Sequence, residues 1–354
     1  MKRNTVLRLL TASSLITLSI GVAFSQTVYI PEGSSNSVSV VDVKSGSVVG
    51  RFTNVEAAHG LSVVKHKKTL VAGSLSEIGD EAVDESKPDT ITKEDHAAHH
   101  SSSKKQAGTP VGAGKSLLSF LNLETGEVVR KVEVPGAVHH VAVSPDERFA
   151  VATHPSNDGI SIIDLSTFEL KTFVPTGGNP NYLAFGGEPG SVYVSNAGNG
   201  TISEVDLDRG IVRRNMLVGQ SPEHMAADRS SGKLYVADPT VGQVFELALN
   251  TGNIQRTFDI GGDIHGLDLT NDQQRLLVSV TDEDKMASVD LVSGDIITVS
   301  LSPAPYHLTT VRGTDRAFVS SRAEPFVWVV DLSDLSIADK IAIKGEGHQM
   351  FSLR

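Results

Sequence analysis

The sequence predicts an all-β protein, a seven-bladed β-propeller with four antiparallel strands in each blade. Three observations carry this. Short apolar segments recur at a fixed spacing. Each copy repeats the same order of strand, tight turn and strand. The two ends of the chain each lack what the other supplies. The residues that open the copies are His59, His139, Asn181, Glu223, His265, Tyr306 and His348. From His139 onward they stand 42, 42, 42, 41 and 42 residues apart. A period near forty built of short strands is the mark of one propeller blade per repeat.

The elements follow in order. First strands read LSVV, VAVS, LAFG, MAAD, LDLT, LTTV and MFSL, and second strands read TLVAG, FAVAT, VYVSN, LYVAD, LLVSV, AFVSS and VYIPE. These are runs of β-branched and other apolar residues broken by turn formers, as strands require. Third strands end on hydrophobic–Asp–hydrophobic, at Asp42, Asp164, Asp206, Asp290 and Asp331, with Asn122 and Ala248 in the other two blades. The acidic side chain there is expected to cap the turn that follows, often with a glycine such as Gly126, Gly252 or Gly294. Residues 27–53 hold strands two to four of a blade without a first strand, and residues 348–353 hold a first strand with nothing after it. Joined, they complete the seventh blade and close the ring, which leaves no open sheet edge.

One step is out of line, the 80 residues from His59 to His139. An insertion over 74–115, between strands two and three of that blade, accounts for it. It is rich in Ser, Lys, Glu and Gly, holds His96, His99 and His100, and is expected to be disordered alone. Residues 1–25 read as an export signal: Lys2, Arg3 and Arg8, an apolar stretch from Leu9 to Phe24, and cleavage between Ser25 and Gln26. The propeller domain is then 26–354, a monomer in the periplasm with no membrane segment after cleavage. A formal net charge of −11 opposes nucleic acid and anionic lipid as partners. The chain has no cysteine, which excludes disulfides, thiolate zinc sites and covalent c-type haem.

Function is legible only at the openings. The first strand of a blade lines the central channel, so the opening residues and their neighbours should form a collar at one mouth. The pairs are His59-Gly60, His139-His140, Asn181-Tyr182, Glu223-His224, His265-Gly266, Tyr306-His307 and His348-Gln349. Seven of the twelve histidines fall in these fourteen places, where an even scatter would put about half of one. Crowded neutral imidazoles are a site for a cation. Imidazole with an optional carboxylate suits zinc, copper(II), nickel or iron, and zinc asks least of the geometry. His59, His139, His265 and His348 share the first register and are the primary candidate ligands, with Glu223 as carboxylate. His140, His224 and His307 share the second and would serve another ion or support the first. His96, His99 and His100 would hang over the same mouth as a lid or capture arm. His154 is placed at the rim, His66 on an exposed turn, and Met225 and Met350 in the core. No Ser-His-Asp, phosphate-loop or paired-carboxylate pattern stands out, so no catalytic residue is assigned.

The repeat resembles the YVTN-type, YncE-like periplasmic propellers. The resemblance rests on Pro180, Pro222 and Pro305 before first strands, on Ser144-Pro145-Asp146, on Leu234 to Asp238 (LYVAD) and on the Val-Asp-Leu segments. It implies fold and export, not activity. The arrangement of a histidine-bearing hub with a histidine-rich segment is similar to that of periplasmic propeller zinc chaperones. That likeness implies a protein that binds zinc, or copper, and buffers it or delivers it to a periplasmic metal-binding protein of an uptake system. Nitrous oxide reductase also gathers histidines at a propeller hub, but this chain shows neither a cupredoxin segment nor cysteines. Propellers that bind haem d1 normally accompany a c-type haem module, absent here. The rivals are a metal-dependent enzyme, copper or zinc, with an open position at the hub, and an interaction propeller that holds no metal.

Overall fold

The computed structural model describes residues 26–78, 114–186 and 190–353. They form seven four-stranded antiparallel sheets arranged as the blades of one ring. In blade two the strands are Val141–Val143, Phe149–His154, Gly159–Asp164 and Glu169–Pro175, in that order across the sheet. The other blades repeat this order. Closure is as the ends predict: Phe351–Leu353 pairs with Thr27–Glu32, with Tyr29 opposite Phe351.

The turn after the third strand is built as expected wherever an Asp or Asn stands there, Asp206 included. Asp42, Asp164, Asp290 and Asp331 each accept a backbone N–H two or three residues on, at 2.7–2.9 Å. Asn122 does the same for Glu124 and Thr125. A short side-chain acceptor satisfies N–H groups that the reversal takes out of the ladder.

The core lies between blades. Seven main apolar clusters each join residues of two neighbouring blades. Val28, Ile30 and Val41 of the closing blade pack on Phe318 and Val327 of blade six. Tyr29, Val38 and Phe52 pack on Leu61 and Leu70 of blade one. Met225 and Met350 are buried in such clusters, as expected. Fourth strands are largely exposed or partly buried, as an outer edge should be.

The start of each first strand departs from a regular ladder, and this positions the site. In blades one, three, five and six the register shifts across the opening residues, between Ala58 and Gly60, Pro180 and Leu183, Ile264 and Leu267, and Pro305 and Leu308. In blades two, four and seven the pairs precede the strand altogether, which begins at Val141, Met225 and Phe351. A bulge abolishes the alternation of a strand. Consecutive residues can then face the same side.

Candidate functional site

All seven opening histidines meet at the axis. His59 stacks between His348 and His139, with ring centroids 4.2 and 4.5 Å away. His139 and His140, adjacent in sequence, have centroids 4.1 Å apart, and Tyr306 and His307 have theirs 4.4 Å apart. Strict alternation forbids such contacts between consecutive residues; His139 and His140 escape it by preceding their strand, and Tyr306 and His307 by a register shift. His224 lies 4.3 Å from His265, 4.9 Å from His307 and 5.0 Å from His140. Tyr182 stacks on His224, and Tyr306 on His265.

The seven histidines are 0–5% exposed and fill the hub. Three sets place one nitrogen of each ring within 4.8 Å of the others: His59, His139 and His140; His59, His307 and His348; His140, His224 and His307. The first two sets mix the registers, and the third is the second register, His140, His224 and His307. His265 and Glu223 fall in none of the three. They stand beside the cluster, His265 Nδ1 being 3.9 Å from Glu223 Oε2.

Side-chain hydroxyls and backbone carbonyls orient the rings. The Nδ1–H of His59 donates to the carbonyl of His139 at 2.7 Å, and that of His140 to the carbonyl of Asn181 at 2.8 Å. In this tautomer the ring's lone pair is on Nε2. The bulges free backbone groups that the second strands recover. His140 N–H donates to Thr153 Oγ1, which donates in turn to the Asn181 carbonyl of the next blade, both at 3.0 Å. Gly266 N–H donates to Ser279 Oγ at 2.7 Å, and that hydroxyl donates to the Tyr306 carbonyl. Tyr182 N–H uses Ser195 Oγ, and Ser320 Oγ donates to the His307 carbonyl. The signal in the sequence was a hydroxyl near the end of strand two, in FAVAT, VYVSN, LLVSV and AFVSS. It reads as ordinary strand composition until the bulges are seen.

Gly60 and Gly266 were also passed over. A Cβ on Gly60 would lie 2.7 Å from the backbone nitrogen of Val141, and one on Gly266 2.4 Å from the Tyr306 carbonyl oxygen. Adjacent first strands touch there, and only glycine fits. Near Gly60, Gln349 reaches from blade seven to blade two. Its amide accepts from Val141 N–H at 3.2 Å and donates to Val141 O at 3.3 Å. Tyr182 is hydrogen-bonded to Gln349.

Burial sets the electrostatics. It holds the His224 imidazole down to about 3, and it pushes His307 well below the ordinary range with the help of His265, His224, His140 and His348. Both rings are neutral at physiological pH, the form that ligates metal. Among the described residues, Nε2 of His224 and of His307 is buried without a hydrogen-bond partner. Burial, then Asp263 and Asp238, pushes the Glu223 carboxyl up to about 8 against the pull of Arg322. Asp263 is itself raised, by burial and by Asp282. At neutral pH the Glu223 carboxyl is therefore largely protonated and adds little charge beside the rings.

His154 does not join the rim. It is buried inside blade two, its Nδ1 facing the carbonyls of Gly136 and Ala137 and its Nε2 facing Ser161 Oγ at 2.8 Å. His66 is exposed and paired with Glu147. His96, His99 and His100 lie outside the described residues, as do the proposed leader and most of 74–115. The roots of that segment stand at the mouth: Leu75 N–H donates to Ala57 O at 3.0 Å, and Val138 N–H to Ser74 O at 2.8 Å.

Fold and site together define a class: a seven-bladed β-propeller whose axis is packed with imidazoles that could hold a metal ion. No family model and no curated protein matches the chain. Among solved structures it is similar to the periplasmic gluconolactonase PpgL of Pseudomonas aeruginosa, with a TM-score of 0.71 at 14% identity over 93% of this chain and 99% of that one. It is also similar to the dihydro-heme d1 dehydrogenase NirN, with 0.61 at 12% over 90% of this chain and 64% of that one. A third is Kuenenia stuttgartiensis hydrazine synthase, with 0.60 at 13% over 67% and 89%. At these identities the likeness is one of fold. Among the described residues no helix is long and apolar enough to cross a membrane.

Proposed function

We propose that this chain is an exported metal-binding propeller that holds a transition metal ion, zinc first, among its hub imidazoles and buffers it or hands it on. The observation that supports this most is the set of three buried histidine triads. Among the described residues Nε2 of His224 and of His307 is buried without a hydrogen-bond partner, which is costly unless a ligand takes up its lone pair. Imidazole alone suits zinc or copper(II) rather than a hard cation that wants oxygen. The leader-like composition of 1–25, the YVTN-like motifs and the periplasmic neighbour PpgL support export. The recipient would be a periplasmic metal-binding protein of an uptake system.

A second reading has one observation in its favour. Each triad supplies three ligands, which leaves a tetrahedral position open for water or a substrate, as in catalytic zinc sites.

The test is elemental analysis of untagged protein purified after export, dialysed against a weak chelator. Retention of about one zinc or copper ion per chain is expected. No retained metal, and none taken up on titration, sinks the reading in favour of an interaction propeller. Removal of residues 79–113 should leave the retained amount unchanged, because the hub ligands lie outside that segment. Azide added to the cobalt(II)-substituted protein separates the two readings: a changed visible spectrum shows an open position, and no change favours storage.

A further inference from the structure

We propose that the hub offers one ion three linked stations rather than one fixed site, so that the ion shifts between them without leaving its ligands. This rests on the metal-binding reading above. The first station is His59, His139 and His140, the second His59, His307 and His348, and the third His140, His224 and His307. Any two of them share one ring: His59, His140 or His307. A neutral imidazole has one lone pair to give. In His59 and His140 the Nδ1–H is committed to a backbone carbonyl, so each can serve a single ion through its other nitrogen. Filling one station with three ligands therefore takes a ligand from both of the others.

Charge points the same way. The triads contain no carboxylate, and two dications a few ångströms apart would repel with nothing between them to offset it. An ion moving from the first station to the third keeps His140 while His224 and His307 replace His59 and His139. Each transfer is a ligand exchange around a retained ring. The third station is drawn wholly from the residues that follow the openings.

The test compares four pairs of substitutions in the full chain, in a background carrying His96→Ala, His99→Ala and His100→Ala. Zinc is titrated against a chromophoric chelator, and circular dichroism and thermal unfolding confirm the fold. The background protein should bind one zinc tightly. His224→Ala with His348→Ala leaves only the first station whole, His139→Ala with His224→Ala only the second, and His139→Ala with His348→Ala only the third. Each of these should keep one tight zinc with affinity within about tenfold. His59→Ala with His140→Ala breaks all three, and should lose at least about 100-fold. All four variants lose two histidines, so only the linkage pattern separates them. If the last variant fails to fold, His139→Ala, His224→Ala and His348→Ala together also break every station while keeping all the shared rings, and should lose as much. A loss in any of the first three pairs as large as in the fourth (one fixed site), no loss in the fourth, or two or more tight zinc ions per chain overturns the proposal while leaving metal binding intact. A background protein that binds no zinc overturns the metal-binding reading itself.

Discussion

His154 shows what a single residue contributes when its surroundings are read instead of its position. Its place at the end of strand two suggested a rim histidine. It is a fully satisfied core group, and burial holds its imidazole down to about 4 from an ordinary 6.5. Below pH 6.5 the unfolded chain takes up a proton here that the folded chain refuses until about pH 4. This contribution to stability is therefore whole above pH 6.5 and is lost as pH falls through that window, by about 3 kcal/mol in all. The stability difference between wild type and His154→Gln should shrink by up to that amount between pH 7 and pH 4. Urea unfolding at several pH values measures it. A difference independent of pH would show that the ring is not held neutral by burial. The hub rings differ from His154 in kind: His224 and His307 are as buried, but each keeps an Nε2 without a partner among the described residues.

At the scale of the element, the deciding feature is the irregular start of each first strand. A regular strand would send one residue of each opening pair to the axis and the other into the blade. The break sends both inward, and the hydroxyls of Thr153, Ser195, Ser279 and Ser320 recover backbone groups that the break leaves over. Gly60 and Gly266 let the irregular strands approach. Gly60→Ala and Gly266→Ala should each cost about 1–3 kcal/mol, since the neighbour that must yield is backbone. Gly50→Ala is the control: its Cβ would meet nothing closer than Val40 Cβ at 3.6 Å, and it should be neutral within about 0.5 kcal/mol. Chemical denaturation of the three variants checks this. Costs as small at the hub glycines as at Gly50 would show that the first strands are not in contact there.

At the scale of the whole molecule, stability and site both depend on closure. Phe351–Leu353 covers the edge of Thr27–Glu32, and Phe351 and Leu353 pack on the cluster that joins the closing blade to blade one. A chain ending at Met350 exposes that edge, a template for pairing with another chain. It should melt at a lower temperature and elute from a sizing column as higher-order species. A monomer with an unchanged melting temperature would mean that the clasp contributes nothing. The hub depends on the same closure, because His348 and His59, stacked at 4.2 Å, belong to the last blade and the first.

The architecture was legible because each blade is encoded locally. Strand composition, the Asp-capped turn and the spacing near forty are properties of a few dozen consecutive residues, and they fixed blade number, strand order and closure. The candidate site was legible only as a list of histidines at equivalent places. Which rings touch was beyond the sequence. The irregular strand starts let rings of both registers meet, as His59, His139 and His140 do, and the rings are buried in the hub. Partners such as His59 and His307 lie hundreds of residues apart and meet only because seven blades share one axis. Only the tertiary structure could decide that His265 and Glu223 stand beside the triads while His307 joins two of them.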